Sequence, residues 1–400
     1  MNFVFLSLQR INIGRESTST GLARELSRNH KVLYVNPSIN RKTRLSKNND
    51  KYTAEHIQQI EKKKNGLMRL NENLYSLNTS CTLESINWLP STAIFSFFNK
   101  LNNQKLAAEI KKALEKLNIE EFILINDKDI FNSFYLKELL SPTAYIYLDR
   151  DNTVAMNYWR RHGTKLEPLL IAKSDAVICN SYDFERKAKK YNKNSFYVGN
   201  GVDLKLFDPT AKYEVPAELK DIPKPIIGYV GALISFRLDI DLLINTVKLN
   251  PDKSFVLIGL EDDNFANSEL HLLPNVHFTG KLHKDMVPAY VNCFDVCINP
   301  QVVNEITIGN FPLKVVEYLA MGKPVVAVQT NTMNELFKDV TYIAKTQQEF
   351  CDLLEKAVFE NTIEKINQRV SFAKQFDWGK VAKNVLNVID KIYHPTESHY

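Results

Sequence analysis

Short apolar runs rich in Val, Ile, Phe and Tyr recur along the chain and alternate with amphipathic stretches. In the first half they are Phe3–Leu6, Val32–Val35, Phe122–Asn126, Ala144–Leu148, Ala176–Asn180 and Phe196–Val198. Each is too short for a helix and nearly continuous in apolar character, as a strand covered on both faces must be. Between them, Gln104–Lys116 and Tyr182–Tyr191 carry apolar residues at helical spacing. Thr18–Arg28 reads as a third helix, with hydroxyls at Ser17–Thr20 able to cap it. The alternation starts again with strands at Ile226–Val230, Ser254–Ile258, Val276–Thr279, Val296–Asn299 and Val325–Val328. Alternating strands and helices predict an α/β protein whose parallel sheets are clothed by helices on both sides.

A Pro- and Lys-containing segment after Asp203, "LKLFDPTAKYEVPAELKDIPKP", interrupts the pattern. It reads as a linker at 205–224 between an N-terminal domain at 1–204 and a C-terminal domain at 225–377. Four hundred residues are more than one core usually supports, which agrees with two domains. Each would be a Rossmann-like, doubly wound sheet, and the two are expected to face one ligand across a cleft. Residues 38–72 are polar and basic with little periodicity, so they are expected to be an excursion from the first sheet.

Composition is that of a globular protein, 44% hydrophobic and 24% charged. No segment approaches the ~20 apolar residues of a membrane span. The start, "MNFVFLSLQR", reads as a buried strand and not as a leader, so a cytoplasmic location is expected. Cys81, Cys179, Cys293, Cys297 and Cys351 then read as reduced thiols. The net charge of +5 is unevenly spread: residues 1–200 hold 31 basic against 20 acidic side chains, the rest 20 against 26. That asymmetry points the first half towards something anionic. Ile86–Lys100 concentrates Trp88, Leu89, Ile94, Phe95, Phe97 and Phe98 beside lysines. Burial in the first domain is the commoner fate of such a segment and the expected one. Were Trp88–Phe98 exposed, it would suit a peripheral membrane contact and a lipid-linked acceptor.

The most informative stretch is "NEITIGNFPLKVVEYLAMGKPVVAVQ", Asn304 to Gln329. Pro312 suits the first position of a helix and Gly322 the residue just past its end, which predicts a helix over Pro312–Met321. A loop that feeds a helix N-terminus at the carboxyl edge of a parallel sheet offers free N–H groups and partial positive charge. Lys314 adds a full charge, a combination suited to a diphosphate. Glu317, one turn on, can accept from the adjacent hydroxyls of a ribose. The spacing alone is equally compatible with an ordinary surface Lys–Glu pair.

The segment resembles the donor motif of family 4 (glycosyl transferases group 1) GT-B glycosyltransferases, closest to the teichuronic-acid subgroup. Asn304, Pro312, Lys314, Glu317, Tyr318, Leu319, Ala320, Gly322, Lys323, Pro324, Val325 and Val326 carry the match. The resemblance implies a GT-B fold and a nucleotide-sugar donor, UDP- or GDP-linked. It implies no cofactor and no metal, although "DRD" at 149–151 has the look of a metal-binding D-x-D. It implies that Glu317 holds the ribose and that Asn310, Pro312, Leu313 and Lys314 meet the diphosphate and sugar. The wider family has a second Glu eight residues before Glu317, where this chain has Gly309. Ile226–Leu243 is similar to the family's first donor-domain strand and loop, with Gly231 at the close approach and Arg237 in place of the usual cations. "NVHFTGKL" is similar to the strand after which the backbone at Lys281 and Leu282 reads the base. "FAKQFDWGKVAKNVLNVID" resembles the terminal helices, so 378–393 is expected to return to the first domain.

In the first domain, "YIYLDRDN" nominates Asp149, then Asp151, as the carboxylate that orients or deprotonates the acceptor. An ion pair between Asp151 and Arg150 is the simpler reading of those two residues. Gly14 and Arg15, in the loop before the first helix, would line the acceptor side. The expected activity is retaining transfer of a hexosyl-type residue to a bacterial surface glycan or lipid-linked acceptor, with no nucleic-acid partner. A nucleotide-sugar 2-epimerase of the same fold and a non-catalytic nucleotide-binding partner are the alternatives. The absence of a G-x-G-x-x-G fingerprint disfavours a dehydrogenase.

Overall fold

The computed structural model describes residues 1–11 and 17–393. The chain divides into two compact units, Met1–Gly199 with Val381–Tyr400, and Asn200–Lys380. Unit 1 opens β1 (Asn2–Ser7), α1 (Thr18–Leu26), β2 (Lys31–Val35), α2 (Arg41–Leu45), α3 (Lys51–Glu61), β3 (Leu67–Arg69) and β4 (Leu74–Leu77). It continues with α4 (Thr92–Lys116), β5 (Ile123–Asp127), α5 (Leu136–Leu140), β6 (Ala144–Asp149), α6 (Asn157–Lys173), β7 (Ala176–Cys179), α7 (Tyr182–Lys189) and β8 (Ser195–Tyr197). Among the described residues its sheet has the order β3-β4-β2-β1-β5-β6-β7-β8, parallel except for β3 against β4.

Unit 2 contains β9 (Ile226–Val230), α8 (Ile240–Leu249), β10 (Ser254–Ile258), α9 (Asp263–Ala266), β11 (Val276–Gly280), α10 (Val287–Cys293) and β12 (Val296–Asn299). It goes on through α11 (Leu313–Ala320), β13 (Val325–Val328), β14 (Tyr342–Ala344), α12 (Gln347–Phe359) and α13 (Ile363–Ala373). Its sheet is parallel throughout, in the order β11-β10-β9-β12-β13-β14. The last helix, α14 (Trp378–Tyr393), groups from Val381 onward with unit 1, where Asn384 Nδ2 donates to the Val198 carbonyl at 3.2 Å.

Three features differ from the sequence reading. The expected linker is not a free connector. Phe207 and Leu219 are buried in the core of unit 2 beside Ile226 and Val256, and its Pro and Lys residues lie between such anchors. The polar stretch 38–72 forms α2, α3 and β3, which lack an apolar stripe because of α3's residues only His56 is buried. Most informative is α4, which begins at Thr92 rather than near Gln104. Its first half is inverted in polarity. Asn99, Asn102 and Asn103 point inward, with Asn99 Nδ2 donating to the Phe131 carbonyl at 2.7 Å and Asn102 exchanging bonds with the Glu84 backbone. Ile94, Phe97 and Phe98 face outward with Trp88, so the expected burial holds for Phe95 but fails for these four.

The five cysteines are free, as expected. No helix of the described residues is long and apolar enough to cross a membrane. In unit 2, β9 passes under Phe294 at Gly228, where a Cβ would come within 2.0 Å of the Phe294 ring. Gly228→Ala should cost about 3 kcal/mol, the upper part of the usual overpacking range, read as a lower urea midpoint at unchanged m. A midpoint equal to wild type would show that the ring can yield.

Candidate functional site

In unit 2 the strand order turns at β9, which has β10 on one side and β12 on the other. Loops leaving two such strands diverge and open a crevice at the carboxyl edge of the sheet. The loop after β9 starts at Gly231, and the loop after β12 runs through 300–312 into α11. Two tyrosines lock these pieces together. The Val230 N–H donates to the Tyr318 hydroxyl at 2.8 Å, so α11 is fastened to the last residue of β9. Lys314 Nζ donates to the Tyr229 hydroxyl at 2.5 Å and lies 4.2 Å from that ring's centroid. Gly231 makes this approach possible. A Cβ there would stand 2.8 Å from the Tyr229 hydroxyl and 3.0 Å from Lys314 Nζ, and its φ of +151° suits glycine.

The carboxyl ends of β9, β10 and β11 are adjacent, and each carries a glycine at positive φ: Gly231, Gly259 (+156°) and Gly280 (+70°). A Cβ on Gly259 would fall 1.8 Å from the Gly231 carbonyl oxygen, while one on Gly280 would meet open space. Three neighbouring strand ends without side chains leave bare backbone across roughly 10 Å, at about 4.8 Å per strand step.

The other donor-side candidates are positioned as follows. Pro312 occupies the cap position, one residue earlier than expected, and the first turn of α11 has no side-chain cap. Leu313 packs partly against the core, and Glu317 is half buried one turn beyond Lys314. The Asn310 amide oxygen is buried and accepts no hydrogen bond among the described residues. Gly309 is buried, and its carbonyl accepts from the Thr332 hydroxyl at 3.0 Å. Arg237 is exposed, sits over the Phe236 ring and pairs with no carboxylate among the described residues. Its carbonyl accepts from the Val302 N–H at 2.9 Å, which ties the post-β9 loop to the post-β12 loop. Lys281 is exposed just after Gly280, and Leu282 leans on the core. Gly322 ends α11 at φ +72°, as expected of a residue past a helix end. Lys323, lowered in pKa by burial, donates to the Asn292 carbonyl at 2.8 Å and serves the scaffold. Reading by motif passed over Tyr229 and treated Tyr318 only as part of a match. Their signal was available in principle, since a buried tyrosine must satisfy its hydroxyl.

Unit 1 turns at β1, between β2 and β5, and its carboxyl edge is closed by buried charge. Lys128, just past β5 and at φ +59°, is fully buried between Asp149 and Glu167, with 2.5 Å to Glu167. Lys187 bonds Glu167 at 2.7 Å, and the Tyr147 hydroxyl donates to Glu167 at 3.0 Å. Asp149, the first candidate for orienting or deprotonating the acceptor, ends β6 inside this cluster. Its carboxylate has no exposed surface and accepts from Lys128. Burial raises the Asp149 pKa, and Lys128 and Lys187 only partly offset this. For Glu167 burial also pushes upward, yet the same two lysines prevail and bring it down to about 2. Asp151 does pair with Arg150, at 2.6 Å, but Arg150 is buried and also grips Asp127, which accepts from the Ser7 hydroxyl at 2.6 Å. The two carboxylates of "DRD" therefore turn to different cations. Sequence reasoning missed Asp127, Lys128 and Glu167. Gly14 and Arg15 lie outside the described residues.

The network predicts an acid-sensitive term. Glu167 titrates below its ordinary value of 4.5, so its stabilisation is complete above that pH and drains as pH falls towards about 2. Glu167→Gln should cost about 3–5 kcal/mol at neutral pH by stranding the lysines, and the deficit should shrink as acid protonates the wild-type carboxylate. Urea titrations at neutral and acid pH that give equal deficits would refute this.

Comparison with known proteins agrees with this architecture. Residues 224–358 match the family described as Glycosyl transferases group 1. A Bacillus subtilis (strain 168) protein named for teichuronic acid biosynthesis, the glycosyltransferase TuaH, is 26% identical over 227 residues, 54% of this chain and 57% of that protein. The chain therefore aligns with little more than half the length of that relative. Sucrose-phosphate synthase from Thermosynechococcus elongatus has a similar structure, with TM-score 0.69 at 13% identity over 99% of this chain and 100% of the other. So has Anabaena HepE, solved with UDP and glucose, with TM-score 0.67 at 13% identity over 97% and 99%. The chain has the GT-B fold, and its residues 224–358 match the glycosyl transferases group 1 family.

Proposed function

We propose that the protein is a glycosyltransferase that moves a sugar from a nucleoside diphosphate sugar to a glycan or lipid-linked acceptor in surface polysaccharide synthesis. One observation carries the reading. An ammonium group, Lys314, is held against the side-chain-free turn at Gly231, beside the uncapped first turn of α11, where the strand order reverses. Free N–H groups, a helix dipole and a full positive charge converge where a diphosphate would bind. When the bond from the sugar's anomeric carbon to the β-phosphate breaks, negative charge grows on the leaving diphosphate, and these groups stabilise it. Arg237, exposed and without a carboxylate partner among the described residues, is able to join them.

In this reading Glu317 accepts from the ribose hydroxyls, and the base lies along the bare backbone from Gly259 to Gly280, with Lys281 and Leu282 at its edge. The family resemblance and the relative's name favour a UDP- or GDP-linked hexosyl donor, retention at the anomeric carbon and a bacterial surface glycan as product. On the acceptor side Asp151 is the more open carboxylate, while Asp149 acts through Lys128 as a positioning residue. The glycine at 309 leaves the transferred sugar without the family's carboxylate and keeps a non-catalytic nucleotide binder as the second reading.

A thermal-shift series with UDP- and GDP-sugars tests the first half of the proposal, since a ligand stabilises by RT ln(1 + [L]/Kd). Lys314→Ala should lower kcat/KM on the order of a hundredfold or more. Glu317→Gln should weaken nucleotide binding by about tenfold, as expected for loss of a charged hydrogen bond. A Lys314→Ala variant that keeps both shift and turnover would overturn the assignment. A shift with no turnover of any donor would favour the second reading, and product formed from donor alone would indicate an epimerase.

Tyr318→Phe tests the scaffold apart from the charge. It leaves the Val230 N–H without its partner, at a cost of about 1–3 kcal/mol. It should lower donor affinity although the hydroxyl is not assigned to touch the donor. Undiminished stability would show that the bond to Val230 is dispensable.

A further inference from the structure

The inverted polarity of α4 has no explanation within unit 1. Ile94, Phe97, Phe98 and Leu101 fall at i, i+3, i+4 and i+7, one continuous helix face, and are 48%, 65%, 41% and 44% exposed. Trp88, 70% exposed, stands in the preceding loop, its indole N–H donating to the Ser85 carbonyl and its own carbonyl accepting from Arg161 on α6 at 2.7 Å. The loop is anchored from beneath by Ile86 and Leu89, which pack on the core, so the outward aromatics are fixed in place. A solvent-facing strip of this kind would be selected against unless something covers it.

Charge indicates what covers it. From Ser85 to Ala108 the chain has Lys100 and Lys105 and no acidic residue, and α6 from Asn157 to Leu166 has Arg160, Arg161 and Lys165 and none. Glu84 is the acidic group that borders the loop, and Arg41 and Lys105 pair with it at 2.7 and 3.5 Å. Exposed Tyr158 and Arg161 continue the surface from Trp88 along α6. Rigid aromatics within a cationic rim have the chemistry of a helix lying in the headgroup plane, with rings at the acyl boundary and lysines at the phosphates.

We infer that this face of unit 1, built on the first turns of α4 with Trp88 and the adjoining side of α6, docks the protein on an anionic lipid bilayer. The inference uses no residue of the donor site and stands or falls apart from it. A hydrophobic partner protein would not need the cationic rim, whereas a bilayer rewards both parts of the surface.

Full-length protein should co-sediment with vesicles of phosphatidylcholine and phosphatidylglycerol, bind poorly to phosphatidylcholine alone, and dissociate as salt rises. Phe97→Ser with Phe98→Ser should lower partitioning on the order of tenfold or more. Lys100→Ala with Lys165→Ala should lower it by about tenfold on anionic vesicles and leave the weak binding to neutral ones unchanged. All four positions are exposed, so unfolding temperatures should match wild type and separate lost docking from lost folding. Three results would overturn the inference: no vesicle binding by a folded wild type, equal binding to neutral and anionic vesicles, or wild-type self-association abolished by the Phe97/Phe98 variant, which would mark a self-interface.

Discussion

The geometry of the candidate site in unit 2 depends on how closely α11 can approach the end of β9. That approach requires Gly231 to lack a side chain, which would otherwise strike the Tyr229 hydroxyl and Lys314, and Gly259 in turn must be bare to clear the Gly231 carbonyl. It also requires the Tyr318 hydroxyl to receive the Val230 N–H, which would otherwise be an orphaned donor at the end of β9. Burial raises the pKa of that phenol well above its usual value, so it stays neutral and able to hold the backbone at any physiological pH. Lys314 inherits its position from this arrangement. A long, flexible side chain becomes a placed charge because the hydroxyl of Tyr229 and the helix beneath it leave few alternatives.

Unit 1 solves the corresponding problem in the opposite way. Its strand ends are plugged by ions rather than left bare. Lys128, Asp149, Glu167 and Lys187 form a chain of alternating charge, with Tyr147 completing the shell of Glu167. Such clusters stabilise less than apolar packing would, but they fix geometry, because removing any one member leaves the others uncompensated. The two units differ in kind: one sets a half-buried cation against a glycine floor, and the other buries Lys128 and Arg150 at its sheet edge.

Much of this was legible beforehand, and the misses have physical causes. The buried parallel strands announced themselves as apolar runs, and Ile226–Val230, Ser254–Ile258, Val296–Asn299 and Val325–Val328 coincide with β9, β10, β12 and β13. The Pro312–Gly322 punctuation located α11 to within a residue. Periodicity failed where polar groups were satisfied inside. The inward asparagines of α4 hid half of a helix, since amide side chains bonded to backbone can occupy a core position that apolar pattern reserves for Leu or Phe. It also passed over β3, β4 and β14, strands of three or four residues. The role of Asp149 could not be read because a carboxylate at a strand end looks the same in sequence whether a lysine far along the chain covers it or not.

Glu317 and Tyr318 are consecutive, yet only Tyr318 is buried in the sheet's contact, while Glu317 remains half open. Successive helical residues are separated by roughly 100° of rotation, so this division is a matter of phase. Deleting one residue between Pro312 and Glu317 would bring the phenol to the half-open phase and the carboxylate to a buried one. The spacing from Pro312 to Tyr318 is therefore set by the face of α11 that packs on the sheet.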